Sequence, residues 1–499
     1  MAILKKIVSY YVREQRRYAK SELMKFFAYD EQGIEKFIKA MKAYGVLKTV
    51  KNNMEQRELS DLVDEDIQIA DETAGDDEFL YVFTYVGVIT FGNRVIKIYP
   101  KYLLDKEYED SQTGPLDEMK QVMKVLERYS NSEEQIINLF NGDGENRSFN
   151  LLAIILFMLN DYHEYGIYNN SEDIIEVNGN GAILWQKTID EGFAVLRDNK
   201  PYYTELYTEK TVDDDMDYFK RLHECVLTEC SKQLHDSQLE DLFEMVSVEL
   251  SEESVEDFGD KEYILDKLLA ELNLQFNTRK QILLKTMYTY ISQERNVMEQ
   301  NDAVSMYGTT AFHAVWEKVC AEVFNNKLNT PIGGLGLTAP LAAGYDKRKK
   351  LIDIIDTPEW KASNMTEGIV SKETLTPDII TSGQSEAGDY FVILDAKYYV
   401  IQLEKGKVLR GNPGVGDVTK QYLYQLAYKE FIQKHSIVVV NNCFIMPTEQ
   451  DEIIVKGTVK MVMLEALGLE NIQIRLLPAH RVYQYYLMRK RMPIEELKL

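Results

Sequence analysis

The chain has 499 residues, 45% of them hydrophobic and 28% charged, with a formal net charge of −24 at pH 7. That length exceeds a single core and, at about 150 residues per domain, predicts about three domains. The proportions are ordinary for a soluble globular protein, and the most apolar stretch, Leu151–Leu159, is too short to span a bilayer and reads as a buried helix.

Lys5, Lys6 and Arg13 interrupt every apolar run at the N-terminus, so neither a signal peptide nor a membrane partner is expected, and the protein is read as cytoplasmic. Cys225, Cys230, Cys320 and Cys443 form no repeated pair, which argues against a disulfide framework and fits a reducing compartment. His223, Cys225 and Cys230 lack the further ligands of a zinc site and read as packing positions. The acidic surplus opposes binding to phosphates, yet what counts is the local field at a groove. Acids crowd into Asp61–Glu78, Asp213–Asp217 and Glu252–Asp260, while bases gather at Arg13–Lys25 and Arg481–Arg491. A nucleic acid held mainly by a partner subunit would be the alternative to such a groove.

The fold class expected is multidomain α+β. Residues 1–60 read as a winged-helix-like module of three helices and a strand. Ile34, Phe37, Ile38 and Met41 fall on one helical face, Asp30 serves as N-cap, and Gly45 stops the helix before an extended Val46–Lys51. Arg13, Arg16, Arg17 and Lys20 suit nucleic-acid docking; packing on the next domain is the other reading. Residues 61–115 hold an acidic linker, Asp61–Glu78, and then a β-rich domain with runs Tyr81–Val86 and Val95–Tyr99 joined by a Gly92-Asn93 turn and closed by Pro100. Residues 116–304 are mainly helical, a scaffold or partner-binding region broken by a hairpin around Ile174–Trp185 with Gly179 and Gly181 at its turn. Leu239–Leu250 and Tyr263–Leu274 carry helical spacing beside acidic decoration, the mark of a solvated face.

Residues 305–499 alternate elements in the manner of an α/β domain with a mixed sheet. A helix at Thr309–Asn325 precedes a Gly/Pro-rich loop at Pro331–Gly344, strands at Ile379–Thr381 and Tyr390–Tyr399, a helix at Asp417–Lys434, and strands at Ile437–Val440 and Ile472–Leu477. The chemistry is concentrated here. Pro377-Asp378 leads one strand, and Ile393-Leu394-Asp395-Ala396-Lys397 ends the next. Strand side chains alternate, so Asp395 and Lys397 point the same way, and two carboxylates on neighbouring strands can hold a hard cation through oxygen. Asp378 and Asp395 are the candidate Mg²⁺ ligands, with Mn²⁺ as a substitute and the Ala396 carbonyl as a further ligand. Lys397 would orient or help deprotonate the attacking water. His313 and Glu317 lie one turn apart on the upstream helix. Glu317 would complete the acidic cluster or else be a solvated helix residue, and His313 reads as a packing histidine. Gly411–Gly416 is glycine-rich but lacks the lysine of a phosphate loop, and reads as a turn near the site.

Thr376-Pro377-Asp378 with Leu394-Asp395-Ala396-Lys397-Tyr398-Tyr399 resembles the PD-(D/E)xK nuclease superfamily. Tyr424-Gln425-Leu426-Ala427-Tyr428 is similar, with spacing one residue shorter, to a helix of its McrC-like restriction branch. Tyr85–Ile89 and Ile98–Tyr102 resemble the N-terminal β region of LlaJI-type restriction endonucleases. The resemblance implies a DNA endonuclease subunit of a bacterial restriction system, an antiviral defence, that hydrolyses both strands of double-stranded DNA to 5′-phosphate and 3′-hydroxyl ends. It also assigns Asp378 and Asp395 as metal ligands, Lys397 as the catalytic lysine, Glu317 as the helix acid and Gln425 as a polar residue lining the site. It implies a separate AAA+ GTPase or ATPase partner, since this sequence has no G-x-x-x-x-G-K-[ST] loop of its own. Cutting two strands would be met by a homodimer through the nuclease domains. A non-catalytic DNA-binding adaptor and a recombination or transposition nuclease are the rival readings.

Overall fold

The computed structural model of the chain describes residues 8–51, 79–92, 94–105, 108, 114–132, 151–170, 172–198, 200–212, 217–292 and 304–499. They divide into two compact units, one made of residues 1–138 and 306–499 and the other of residues 139–305. The linker Asp61–Glu78, Asn93 of the expected turn, and Asp213–Met216 of an acidic cluster lie outside the described residues.

The first unit opens on a difference from the sequence reading. Val8–Arg13 is a strand (β1), not a helix, and pairs in parallel with a strand some eighty residues on. Its Val-Ser-Tyr-Tyr-Val run is β-branched and aromatic, which suits a pleated surface better than a helix. Arg17–Tyr18 (β2), helices Lys20–Phe26 (α1) and Glu31–Ala43 (α2), and Leu47–Lys51 (β3) follow. In α2 the Asp30 carboxylate accepts the Gly33 amide at 2.7 Å, and Ile34, Phe37, Ile38 and Met41 are buried, as the spacing predicts. Gly45, at φ +66°, supplies the left-handed turn that ends the helix.

Phe79–Phe83 (β4), Val86–Phe91 (β5) and Arg94–Tyr99 (β6) come next. The run expected as one strand, Tyr81–Val86, breaks at Thr84-Tyr85 and serves two sheets, because the Thr84 amide turns back to the Val46 carbonyl. β4 lies between β2 and β3; β5 and β6 form an antiparallel pair, and β6 carries β1 on its other edge. Strands on either side of the acidic linker therefore share sheets. A helix at Leu116–Ser132 (α3) completes this half, and Val304–Thr309 (β7) adjoins β5. A Cβ at Gly87, φ +145°, would stand 2.2 Å from the Tyr307 carbonyl, so this approach needs glycine.

The rest of the unit carries the candidate site. Helix Phe312–Val323 (α4) precedes Ile379–Ser385 (β8) and Gly388–Ala396 (β9), an antiparallel hairpin. Helix Val415–Lys434 (α5) leads to Val439–Thr448 (β10), parallel to β9. Ile454–Val459 (β11), Ile472–Pro478 (β12) and helix Ala479–Leu487 (α6) end the fold. The five-stranded mixed sheet has the order β8-β9-β10-β12-β11. Phe391 and Ile393 of β9 pack with Tyr424, Tyr428 and Phe431 of α5. Residues two apart share a face of a strand, so Asp395 and Lys397 follow Phe391 and Ile393 toward α5.

In the second unit Leu151–Tyr165 is a helix whose Leu151–Leu156 run is buried, with Tyr218–Asp236, Lys261–Leu274 and Thr278–Ser292 as further helices. The hairpin expected around Ile174–Trp185 takes another form. Glu172–Val177 and Ala182–Ile183 each pair antiparallel with Tyr207–Val212, which enters between them. Of Leu239–Leu250, Glu240–Phe243 is helical; Glu244, at φ +51°, ends it. His223 accepts the Tyr168 amide on Nδ1 at 2.9 Å, and Cys225 donates to the Glu253 carbonyl, which are packing positions. All four cysteines are buried thiols outside any disulfide.

Candidate active site

Asp395 is the last residue but one of β9, and β8 begins one residue after Asp378. The hairpin pairs Ile379 with Leu394. One further step of that register sets Asp378 opposite Asp395, and the Asp378 Oδ2 accepts the Ala396 amide at 3.1 Å. The proline before Asp378 has no N–H to give to a ladder, which suits the point where pairing begins.

Asp395 is 6% exposed. The Lys397 Nζ stands 3.1 Å from its Oδ2, out of line for a hydrogen bond, so among the described residues that buried oxygen has no hydrogen-bond donor. Burial first, and then the facing Asp378, push the Asp395 carboxyl well above its ordinary range, against the pull of Lys397. Burial works against the Lys397 ammonium as well, but Asp395, Asp378 and Asp417 outweigh it and hold its pKa above the usual lysine value. One lysine does not balance this much negative charge in a low dielectric.

Glu317 projects from α4 toward the same place. Burial and the field of Asp378, partly offset by Lys397, push its pKa up to about 7. His313, one turn earlier, is exposed. Gln425 does not join the acids. It is buried, and its side-chain amide donates to the Glu470 carbonyl and accepts the Glu470 amide, each at 2.9 Å. The α5 residues that meet the acid cluster are Asp417, about two turns earlier, and Tyr424, next to Gln425. Asp417, Gln421 and Tyr424 follow at helical spacing. The Asp417 Oδ1 lies 3.5 Å from Lys397. Tyr424 is pushed up to about 12 by burial and by Asp395 and Asp378, while its hydroxyl donates to the Thr376 carbonyl at 3.0 Å. Gln421 is 1% exposed, and among the described residues neither polar atom of its side chain has a hydrogen-bond partner. Sequence reasoning passed over Asp417 and Gln421. The available signal was the glycine-rich turn Gly411–Gly416, which fixes where α5 starts and so which residues its first two turns present.

The residues fit a hard cation. Two carboxylates meet across a strand pair, among the described residues one of them holds a buried oxygen without an aligned donor, and burial first and then the facing Asp378 raise the pKa of Asp395. Among the described residues no three His, Cys, Asp or Glu side chains gather closely enough to cage an ion. That suits Mg²⁺, which keeps waters and is commonly held by one or two carboxylates, better than a tetrahedral metal.

Residues 85–333 and 343–477 match the LlaJI restriction endonuclease family. The chain belongs to that family. The matched segments include Glu317, Asp378, Asp395, Lys397 and Asp417. A curated relative, the type II restriction enzyme BsuMI component YdjA of Bacillus subtilis (strain 168), is 29% identical over 421 residues, which is 83% of this chain and 83% of the relative. Among solved structures, a refined half-complex from a tetradecameric assembly of Thermococcus gammatolerans McrB AAA+ hexamers with bound McrC aligns over 96% of this chain and 99% of that chain, at 12% identity and a TM-score of 0.36. The cryo-EM structure of the Thermococcus gammatolerans McrBC complex aligns over 62% of this chain and 85% of that chain, at 11% identity and a TM-score of 0.24. Among the described residues no helix is long and apolar enough to cross a membrane.

Proposed function

We propose that this member of the LlaJI family is a Mg²⁺-dependent endonuclease of the PD-(D/E)xK type, acting on double-stranded DNA as one subunit of a cytoplasmic bacterial restriction system. The observation that carries the reading is the meeting of Asp378 and Asp395 across β8 and β9 with Lys397 on the same strand end. Asp378, Asp395 and the Ala396 carbonyl would hold Mg²⁺, or Mn²⁺ in its place, with Glu317 reaching the ion through a coordinated water. The cation would lower the pKa of a coordinated water and offset charge on the phosphodiester. Lys397 supplies a positive charge beside the phosphate and orients the attacking water. Glu317, half-buried and poised near neutrality, takes up or releases a proton as charge in the site changes.

The winged-helix-like N-terminal module is the candidate DNA-docking element. Arg16 pairs with Glu22 at 3.0 Å and stacks over Tyr18, and Lys20 pairs with Glu35 at 3.2 Å, so these cations stand on an ordered surface. A separate AAA+ GTPase or ATPase is the partner proposed, because the sequence lacks a phosphate loop and the Bacillus relative is itself named a component of an enzyme. A homodimer through the nuclease domains would place two centres on two strands.

The test is plasmid cleavage in Mg²⁺ by the purified chain, with and without the product of a neighbouring AAA+ gene. Asp395→Ala and Lys397→Ala should each remove cleavage while keeping the circular dichroism of the parent. Undiminished cutting by both variants would refute the site.

A further inference from the structure

Asp417 does two things with one carboxylate. Its Oδ2 accepts the Gly414 amide at 3.0 Å, the N-terminal cap of α5, while its Oδ1 faces the Lys397 ammonium at 3.5 Å. A cap needs one oxygen. The other is aimed at the lysine, which sits between two acids, 3.1 Å from Asp395 on one side and Asp417 on the other. The Lys397 side chain is 18% exposed and that of Asp395 8%, so neither charge can turn freely to water.

A divalent cation on Asp395 would compete with the ammonium for the same atom, the Oδ2 to which, among the described residues, no aligned hydrogen-bond donor is directed. A lysine with Asp395 as its sole partner would have to be expelled unpaired before the cation could bind, and a buried ammonium stripped of its counter-ion is costly. Asp417 removes that penalty. It is rigid, because its other oxygen is fastened to the start of a helix, and its negative charge is at home there. We propose that Asp417 is the positioning residue of the site, the counter-ion that receives Lys397 when Asp395 turns its oxygen to a divalent cation. This rests on the metal-site reading above. Asp417 touches neither metal nor substrate; it acts through the lysine. The glycine turn Gly411–Gly416 thereby gains a purpose, since it starts α5 where its third residue reaches Lys397.

A double-mutant cycle read by Mn²⁺ binding, with free Mn²⁺ followed by electron paramagnetic resonance, tests this without recourse to cleavage. Asp417→Asn keeps an oxygen for the Gly414 amide, and an unchanged melting temperature would verify that the cap survives. In the parent background D417N should weaken Mn²⁺ binding about tenfold, the size of a strong pairwise coupling. In a Lys397→Gln background, with no ammonium to rehouse, the same change should cost about twofold or less. Equal losses in the two backgrounds would overturn the proposal, since Asp417 would then act on the ion by its charge alone. So would the absence of any loss in the parent. Parent protein whose Mn²⁺ binding is absent, or is unaltered by Asp395→Asn, would instead bring down the metal-site reading itself, and the proposal with it.

Discussion

Tyr398, the residue after Lys397, donates its hydroxyl to the buried carboxylate of Glu14 at 2.5 Å, joining the end of β9 to the end of β1 across 384 positions of sequence. The same Glu14 oxygen accepts the Lys101 amide at 3.2 Å, and the Lys101 ammonium lies 4.5 Å from the centre of the Tyr398 ring. Tyr102 donates to the Tyr483 hydroxyl at 3.3 Å and packs edge-on against Tyr398. The strand end that carries the candidate lysine is thus held from behind by a buried polar network rooted in the N-terminal sheet.

Tyr398→Phe should therefore both destabilise the chain and loosen the site. The ring contacts survive, but a buried charge-assisted hydrogen bond is lost, at a cost of about 1–3 kcal/mol. The denaturation midpoint should fall accordingly, and cleavage per folded molecule should drop by about tenfold, because small displacements at a reacting centre are expensive. An unshifted midpoint would mean that Tyr398 and Glu14 do not support one another.

Glu317 gives a pH signature whose sign can be worked out. Burial and Asp378 raise its pKa in the folded chain from 4.5 to about 7. Between those values the folded state holds a proton that the unfolded chain releases, so the stability from this group is fully present below pH 4.5 and is lost as pH rises through 7. Glu317→Gln removes the titration. In metal-free buffer, the stability of the parent relative to E317Q should decline from pH 4.5 to pH 7; a flat difference would contradict the raised pKa.

How much of this was legible in the sequence depends on the range of the interaction. Asp378, Asp395 and Lys397 could be read because strand alternation and one hairpin register place them, and both are local rules. The buried face of α2 was legible for the same reason. β1 was not, because its partner β6 lies in another part of the chain and the basic residues around it mimic a helical surface. Gln425 was drawn into the site by its neighbours Tyr424 and Tyr428, but of two adjacent residues Tyr424 lies in the field of Asp395 while Gln425 turns to Glu470. The acid that meets Lys397 from α5 depends on where the glycine turn lets that helix begin, which composition does not disclose.

A bound cation should be visible as stability. A ligand taken up by the folded chain alone adds about 1.4 kcal/mol at ten times its dissociation constant. The melting temperature of the parent should rise by about a few degrees or less between EDTA and excess Mg²⁺. Asp395→Asn, which keeps the shape of the side chain and removes its charge, should abolish the shift. If D395N shows the full shift, Mg²⁺ is bound elsewhere.

Gln425 and Gln421 separate structural from functional polarity on one helix. The Gln425 amide satisfies both the N–H and the carbonyl of Glu470, so Gln425→Ala leaves two backbone groups without their partner, at about 1–3 kcal/mol for each that stays buried. Among the described residues Gln421 finds no partner for either polar side-chain atom, so Gln421→Ala should forfeit packing alone. Thermal unfolding should therefore rank Q425A well below Q421A, while cleavage per folded molecule should be kept in Q425A and reduced in Q421A, which lies one turn from Asp417 where Gln425 lies two. The opposite ranking in both measurements would return Gln425 to the site, where its resemblance to the McrC-like helix places it.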